Sequence, residues 1–220
     1  MEYIINAKTK LLYNECDQLY VEDIVQYFTG NYNKIMDSFN LKDLDKELVI
    51  KLWDDNQSFL RNMGQLLELK TEDIPSWAVG FSINEKTDNI SQIHYLSLKE
   101  IRKIAYHKAN TIVGLKKGVV HEFVHICHSQ FCHYNYPKQL WITEGIATYL
   151  SNQYPNAKPN TTIKEILSDE YSEYQNYRYI FDTIFSIFSK TEIQKILKGK
   201  VSPLAYQIIE TYYNPDDHKL

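Results

Sequence analysis

Two histidines spaced four residues apart, His121 and His125, constrain this chain more than any other feature of its sequence. They stand in the run HEFVH, and on an α-helix residues at this spacing lie one turn apart on the same face. Their imidazole rings can then converge on one metal ion, at about 2.0–2.1 Å each for zinc. The spacing therefore predicts a helix here that presents a metal-binding face.

The rest of the predicted helix supports this interpretation. Asn110 and Thr111 are suitable helix caps, and the helical pattern continues to about Ser129. One side holds Ile112, Val119, Val120, Phe123 and Cys127, and the other holds Gly114, Gly118, His121, His125 and His128. We expect the apolar side to pack on a sheet and the histidine side to face a cleft. Because glycines weaken a helix, the two glycines indicate that something approaches closely there.

The third metal ligand has several candidates. A catalytic zinc ion usually keeps three protein ligands. His128 follows His121 by seven residues, about 10.5 Å along a helix axis, which is too far for both to share one ion. His133 lies beyond the predicted helix end and stays open as an alternative. Glu144 is preferred, because it follows the histidine pair after eighteen residues and falls on the next predicted helix.

The order of predicted elements indicates the α+β class. Strands are predicted at residues 2–6, 48–53, 77–83 and 93–98. Helices are predicted at residues 19–39, with an interruption at Gly30, and at 57–69, 110–129, 137–153, 161–167 and 171–189, with two more at the end of the chain. A sheet-rich first half followed by a helical second half is typical of α+β proteins.

Composition excludes several classes of function. The net charge of -4 is small and dispersed, so we expect no nucleic-acid partner. No apolar window approaches the roughly 18 residues of a membrane span, and the first residues do not resemble a signal peptide. The three cysteines suggest no disulfide framework. We therefore expect a cytoplasmic protein, although export by a leaderless route stays open.

The run HEFVH, followed after eighteen residues by Glu144 within TEGIATY, resembles the gluzincin zinc metallopeptidases. The similarity is to the catalytic domain of the aminopeptidases in that class and to their minimal relatives. It covers about 30 residues, from Val120 to Tyr149, and the order of upstream elements is similar as well. The resemblance implies a single zincin-like catalytic domain over residues 1–220. A mixed-sheet lobe with the site helix (1–130) and a helical lobe (131–220) would enclose an active-site cleft.

The resemblance also assigns roles to the residues of the motif. His121, His125 and Glu144 would bind one Zn²⁺ ion, and Glu122 would act as the general base in hydrolysis of a peptide bond. Thr148, one turn after Glu144, would orient a histidine. The implied enzyme is a zinc metallopeptidase whose partner is a peptide or protein substrate.

Three tyrosines complete the implied site. Gluzincins of this type use a downstream tyrosine to stabilise the oxyanion, and Tyr174 aligns best with it, followed by Tyr177. Residues 93–98, which include Tyr95, would form an edge strand that pairs with the substrate backbone. The aminopeptidase signature that holds a free amino terminus is missing, which favours an endopeptidase or a narrow-specificity enzyme.

Two other interpretations stay open. The chain could be a catalytically inactive interaction module that zinc stabilises, although such a module would not need Glu122. It could also be a helical protein in which the motif arose by chance and binds no metal. The sequence predicts neither the oligomeric state nor the cleavage preference.

Overall fold

The structure is a computed structural model, and it describes residues 1–87, 89–156, 158–168 and 173–212. The chain divides into two compact units, Met1–Tyr134 and Asn135–Leu220. The described residues form one five-stranded sheet and nine α-helices, so the predicted mixture of strands followed by helices is confirmed. No described helix is long and apolar enough to cross a bilayer.

The sheet belongs to the first unit. Its strands are β1 (Glu2–Asn6), β2 (Thr9–Leu12), β3 (Glu47–Trp53), β4 (Gly80–Ile83) and β5 (Ile90–Leu96), in the order β1-β2-β3-β5-β4. β2, β3 and β5 are parallel to one another, whereas β1 and β4 are antiparallel to their neighbours at the two edges. The short strand β2 was not predicted from the sequence, because its four residues include polar Thr9 and Lys10 and show no strong alternation.

The prediction that residues 93–98 form the edge strand is wrong. β5 lies between β3 and β4, and β4 is the edge. The burial of the strand gives the physical reason. Ile93, His94, Tyr95 and Leu96 are all buried, which is the pattern of a strand covered on both faces. A half-exposed edge strand would instead alternate between buried and exposed positions.

Four helices accompany the sheet in the first unit. They are α1 (Val21–Ser38), α2 (Asn56–Leu66), α3 (Leu98–Ile101) and α4 (Ile112–Phe131). α1 is continuous through Gly30, where an interruption was predicted, because a single glycine weakens a helix without ending it. Phe28 and Tyr32 of α1 pack against Phe123 of α4, with ring centroids 4.8 and 5.1 Å apart. This aromatic cluster places α4 firmly in the core.

The second unit is helical in its described part. It contains α5 (Leu140–Leu150), α6 (Ile163–Leu167), α7 (Tyr174–Ile187), α8 (Lys190–Leu197) and α9 (Pro203–Tyr212). α5 packs on α7, where Gly145 leaves room for the ring of Phe181: a Cβ atom at Gly145 would lie 2.3 Å from it. The predicted helix 171–189 starts at positions outside the described residues, and its described part matches α7.

Candidate metal centre

α4 forms as its sequence predicts. Thr111 is the N-cap, and its hydroxyl accepts a hydrogen bond from the backbone N–H of Gly114 at 3.4 Å. The helix then runs without interruption to Phe131. His121 and His125 therefore lie on consecutive turns.

The two histidine rings converge. Their Nε2 atoms are 3.1 Å apart, and the rings are nearly perpendicular, with an interplanar angle of 80°. Two ligands that bind one zinc ion with tetrahedral geometry are about 3.3 Å apart, so this separation suits a shared ion. His121 is buried and His125 is half-buried.

Glu144 completes a group of three potential metal ligands. One ligand atom each from His121, His125 and Glu144 lie within 4.8 Å of one another, and this group could hold a metal ion. Two imidazole nitrogens and one carboxylate oxygen are a donor set that zinc accepts readily. Among the described residues, His133 belongs to no such group. The structure thus brings together the three residues that the sequence predicted as ligands.

Glu122 follows the first histidine directly. It is nearly buried, with 9% of its surface exposed, on the helix that carries both histidines. Its role as a general base stays a prediction.

His128 is on the histidine side of α4, as the helical pattern predicted, but it lies in the core instead of facing a cleft. Its ring is fully buried and stacks on Phe39, with centroids 5.4 Å apart and an interplanar angle of 20°. The neighbouring Cys127 points to Met36 of α1, with 3.6 Å between the two sulfur atoms. Burial raises the pKa of the Cys127 thiol well above its usual range. Both side chains are therefore parts of the core beside α1, because α4 is covered on more sides than a two-sided pattern implies.

The glycines of α4 make room for polar side chains from its own unit. A Cβ atom at Gly118 would lie 2.0 Å from the hydroxyl of Tyr95, and one at Gly114 would lie 1.8 Å from the amide oxygen of Asn110. The expectation of a close approach at both positions is confirmed. At Gly118 the approaching group is the Tyr95 hydroxyl, which reaches the helix one turn before Glu122.

The predicted residues of the second unit have different environments. Thr148 is fully buried, and its hydroxyl donates to the backbone carbonyl of Glu144 at 2.8 Å. Tyr177 is 1% exposed and lies in the core of this unit, whereas Tyr174 is half-buried in the first turn of α7. Of the two tyrosines, Tyr174 is the one whose side chain is exposed enough for a substrate to contact it. The roles of Thr148 and Tyr174 stay predictions.

Strand β4 lies beside the part of α4 that carries the histidines, which sequence analysis missed. Near the start of β4, Tyr95 packs between Gly80 and Gly118. Immediately after its end, the amide of Asn84 donates to the carbonyl of Ile126 at 3.0 Å. Four residues of strand span about 13 Å and eight residues of helix about 12 Å, so the two elements run side by side. The sequence signal for this close packing was a glycine on each element, Gly80 of β4 and Gly118 of α4.

Comparisons with known proteins add no relative. No protein-family model, no curated protein and no solved structure matches this chain. The site is therefore interpreted from its own residues and geometry.

Proposed function

We propose that the protein is a zinc-dependent peptidase that uses Glu122 as its general base. The observation that carries the proposal is the group formed by His121, His125 and Glu144, whose ligand atoms lie within 4.8 Å of one another. A second acidic residue, Glu122, stands directly beside the first ligand on the same helix. Three ligands plus an adjacent base are the parts that metal-assisted hydrolysis requires.

The donor set favours zinc over other common ions. Calcium and magnesium prefer sites built mainly from oxygen atoms, whereas two of the three donors here are imidazole nitrogens. Zinc also accepts a site with only three protein ligands, which leaves one position open for reaction. The proposed cofactor is therefore one Zn²⁺ ion held by His121, His125 and Glu144.

The chain's own residues would move the proton. When bound, zinc lowers the pKa of a water molecule to about 7 and polarises a carbonyl oxygen. Glu122 would take a proton from the attacking water and deliver it to the leaving amine. Its near-complete burial limits exchange of that proton with bulk solvent. A hydroxyl donor at Tyr174 would stabilise the charge that develops on the carbonyl oxygen.

The edge strand β4 supports an extended peptide as the substrate. The N–H of Leu96 donates to the carbonyl of Val79 at 2.8 Å, which fixes how β4 pairs with β5. Because hydrogen-bonding direction alternates along an antiparallel pair, the backbone groups of Gly80 and Ser82 face away from β5. A peptide that added itself to this edge would lie alongside the helix segment from Gly118 to Ile126 and so pass the histidines.

A peptide library tests the proposal. We expect the zinc-loaded wild type to cleave a subset of peptides and Glu122→Gln, which keeps the shape of the side chain, to lose this activity by about 10²-fold or more. Equal cleavage by both proteins would contradict the assignment of Glu122. Zinc binding without cleavage by the wild type would instead favour the inactive, zinc-stabilised module.

A further inference from the structure

We propose that Tyr95 and Asn84 are positioning residues that set the separation between edge strand β4 and helix α4. This inference rests on the proposed function, because it concerns how a peptide on β4 is aligned with the ligands on α4. Each residue acts at one end of the strand, and neither is one of the metal-ligand candidates. Together they would fix where the scissile bond falls relative to Glu122.

Tyr95 spans the gap at the start of β4. It is directly opposite Gly80 in the pairing of β4 with β5, and a Cβ atom at Gly80 would lie 2.3 Å from its ring. Its hydroxyl lies where a side chain at Gly118 would begin, and the residue is only 6% exposed. Two glycines on two different elements thus accommodate one aromatic ring. The ring acts as a spacer between them.

The level of this spacer on α4 matters for the chemistry. Gly118 precedes His121 by three residues and Glu122 by four. Side chains on a helix lean toward its N-terminus, so those of His121 and Glu122 extend over the turn that contains Gly118. The Tyr95 hydroxyl therefore meets the helix at the level where the ligand and the base project.

Asn84 fixes the other end of β4. Its Oδ1 accepts a hydrogen bond from the hydroxyl of Ser91 at 2.8 Å, while its Nδ2 donates to the carbonyl of Ile126 at 3.0 Å. Its backbone carbonyl also accepts from the Ser129 hydroxyl at 3.3 Å. The side-chain amide is held on both sides, and it ties the strand to the helix just beyond His125.

A strand fixed at both ends presents its outer edge at a defined distance from the helix. A misplacement of about 1 Å between reacting groups can reduce a rate by about 10²-fold. Shortening the Tyr95 side chain or removing the Asn84 amide would shift a peptide bound on β4. Either change would leave the histidine pair in place, because both histidines lie within α4. Binding of the peptide and binding at the metal should therefore respond differently.

Two hydroxamates separate these effects in the zinc-loaded protein. Acetohydroxamate contacts only the metal centre, whereas a peptide hydroxamate built on a cleaved library sequence also reaches β4. For Tyr95→Leu and Asn84→Ala we expect the Kd of the peptide hydroxamate to rise about tenfold or more and that of acetohydroxamate to change less than about threefold. Tyr95→Phe keeps the ring but removes the hydroxyl that meets Gly118, so its Kd for the peptide hydroxamate should lie between those of the wild type and Tyr95→Leu. Tyr106→Leu, at a tyrosine that is 79% exposed, is the matched control and should change neither.

Each outcome decides between the alternatives. Equal weakening of both probes would show that Tyr95 and Asn84 support the fold or the metal centre generally, and would overturn the spacer role. Unchanged binding of both probes by the variants would overturn it as well. If acetohydroxamate does not bind the wild type, the zinc site itself fails, and the inference falls with the proposed function. Circular dichroism of each variant shows whether it is folded.

Discussion

The indole Nε1 of Trp53 donates a hydrogen bond to Nδ1 of His94 at 3.1 Å, within the sheet of the first unit. An imidazole nitrogen that accepts a hydrogen bond carries no proton, so the ring is neutral and its hydrogen is on Nε2. Nε2 faces the amide oxygen of Gln92 at 3.2 Å. Burial and the nearby Lys51 ammonium lower the pKa of His94 to about 4.

This depressed pKa predicts a loss of stability in mild acid. Above about pH 6.5, the usual pKa of histidine, His94 is neutral in both folded and unfolded chains and contributes no pH dependence. Between 6.5 and about 4 the unfolded chain binds a proton that the folded chain does not, so the free energy of unfolding falls as the pH falls. From pH 7 to 5 the loss from this residue is about 2 kcal/mol.

Urea denaturation at both pH values measures this effect. His94→Gln has no ionisable group at the position and serves as the comparison, because the remaining titrating residues are the same in both proteins. We expect the wild type to lose about 2 kcal/mol more than the variant between pH 7 and 5. Equal losses in the two proteins would contradict the assignment of a neutral, buried His94.

The Tyr95 hydroxyl fills the space beside Gly118, so we predict that the effect of Gly118→Ala on stability changes sign when Tyr95 is replaced. In the wild type, Gly118→Ala places a methyl group 2.0 Å from the Tyr95 hydroxyl, and overpacking of this kind costs about 1–3 kcal/mol. In a Tyr95→Leu background that collision is removed, and alanine should then stabilise the helix by about 1 kcal/mol relative to glycine. Thermal unfolding of the wild type, the two single variants and the double variant measures the effect of Gly118→Ala in both backgrounds. An effect of the same sign in both backgrounds would contradict the packing described for Tyr95.

Local features of the site could be predicted from the sequence. The helix cap at Thr111 and the convergence of His121 and His125 follow from spacing along one helix, which needs no knowledge of the fold. Glu144 was identified because it lies on the following helix at a spacing that resembles a known ligand pattern. Features within one or two adjacent helices are therefore accessible to sequence analysis.

Features that depend on the order of strands could not be predicted. β5 lies inside the sheet because β4, which precedes it in the chain, pairs outside it, and local alternation does not encode this order. The stacking of His128 on Phe39 likewise depends on the residue that follows α1 covering a side of α4 that the helical pattern assigns to a cleft. Asn84 carries no sequence motif, because two of its three partners, the Ile126 carbonyl and the Ser129 hydroxyl, are distant in sequence.

Arg178 is predicted to be a major stabilising residue of the second unit. Its Nη1 donates to the carbonyl of Gln153 at 2.9 Å, beyond the C-terminus of α5, and its Nε is 3.0 Å from the carboxylate of Asp182. Arg178→Met should lower the free energy of unfolding by about 1–3 kcal/mol, since buried carbonyl groups lose a charged donor. Asp182→Asn should cost less, because 37% of that side chain is exposed. Chemical denaturation measures the loss of unfolding free energy in each variant. A larger loss in Asp182→Asn than in Arg178→Met would contradict this prediction.

The two tyrosines of α7 should have separable effects. If Tyr174 donates to the developing oxyanion, Tyr174→Phe should lower kcat by about 10²–10³-fold with little change in thermal stability. Tyr177 is 1% exposed, so Tyr177→Phe should affect Tm more than kcat. Steady-state kinetics on one cleaved peptide, together with melting curves, distinguishes the two. A larger loss of kcat in Tyr177→Phe would reassign the role.

The central claim is that His121, His125 and Glu144 together bind one zinc ion, and competition with a chromophoric chelator tests it most directly. We predict one zinc per wild-type chain and a fall in affinity of about 10²-fold or more in Glu144→Gln, since a ligand contributes at least as much as its supporting residues. Glu122→Gln, beside the ligands, and Glu192→Gln, at an unrelated half-buried position of α8, should keep wild-type affinity. Equal zinc affinity in Glu144→Gln and the wild type, or no zinc binding by the wild type, would contradict the account.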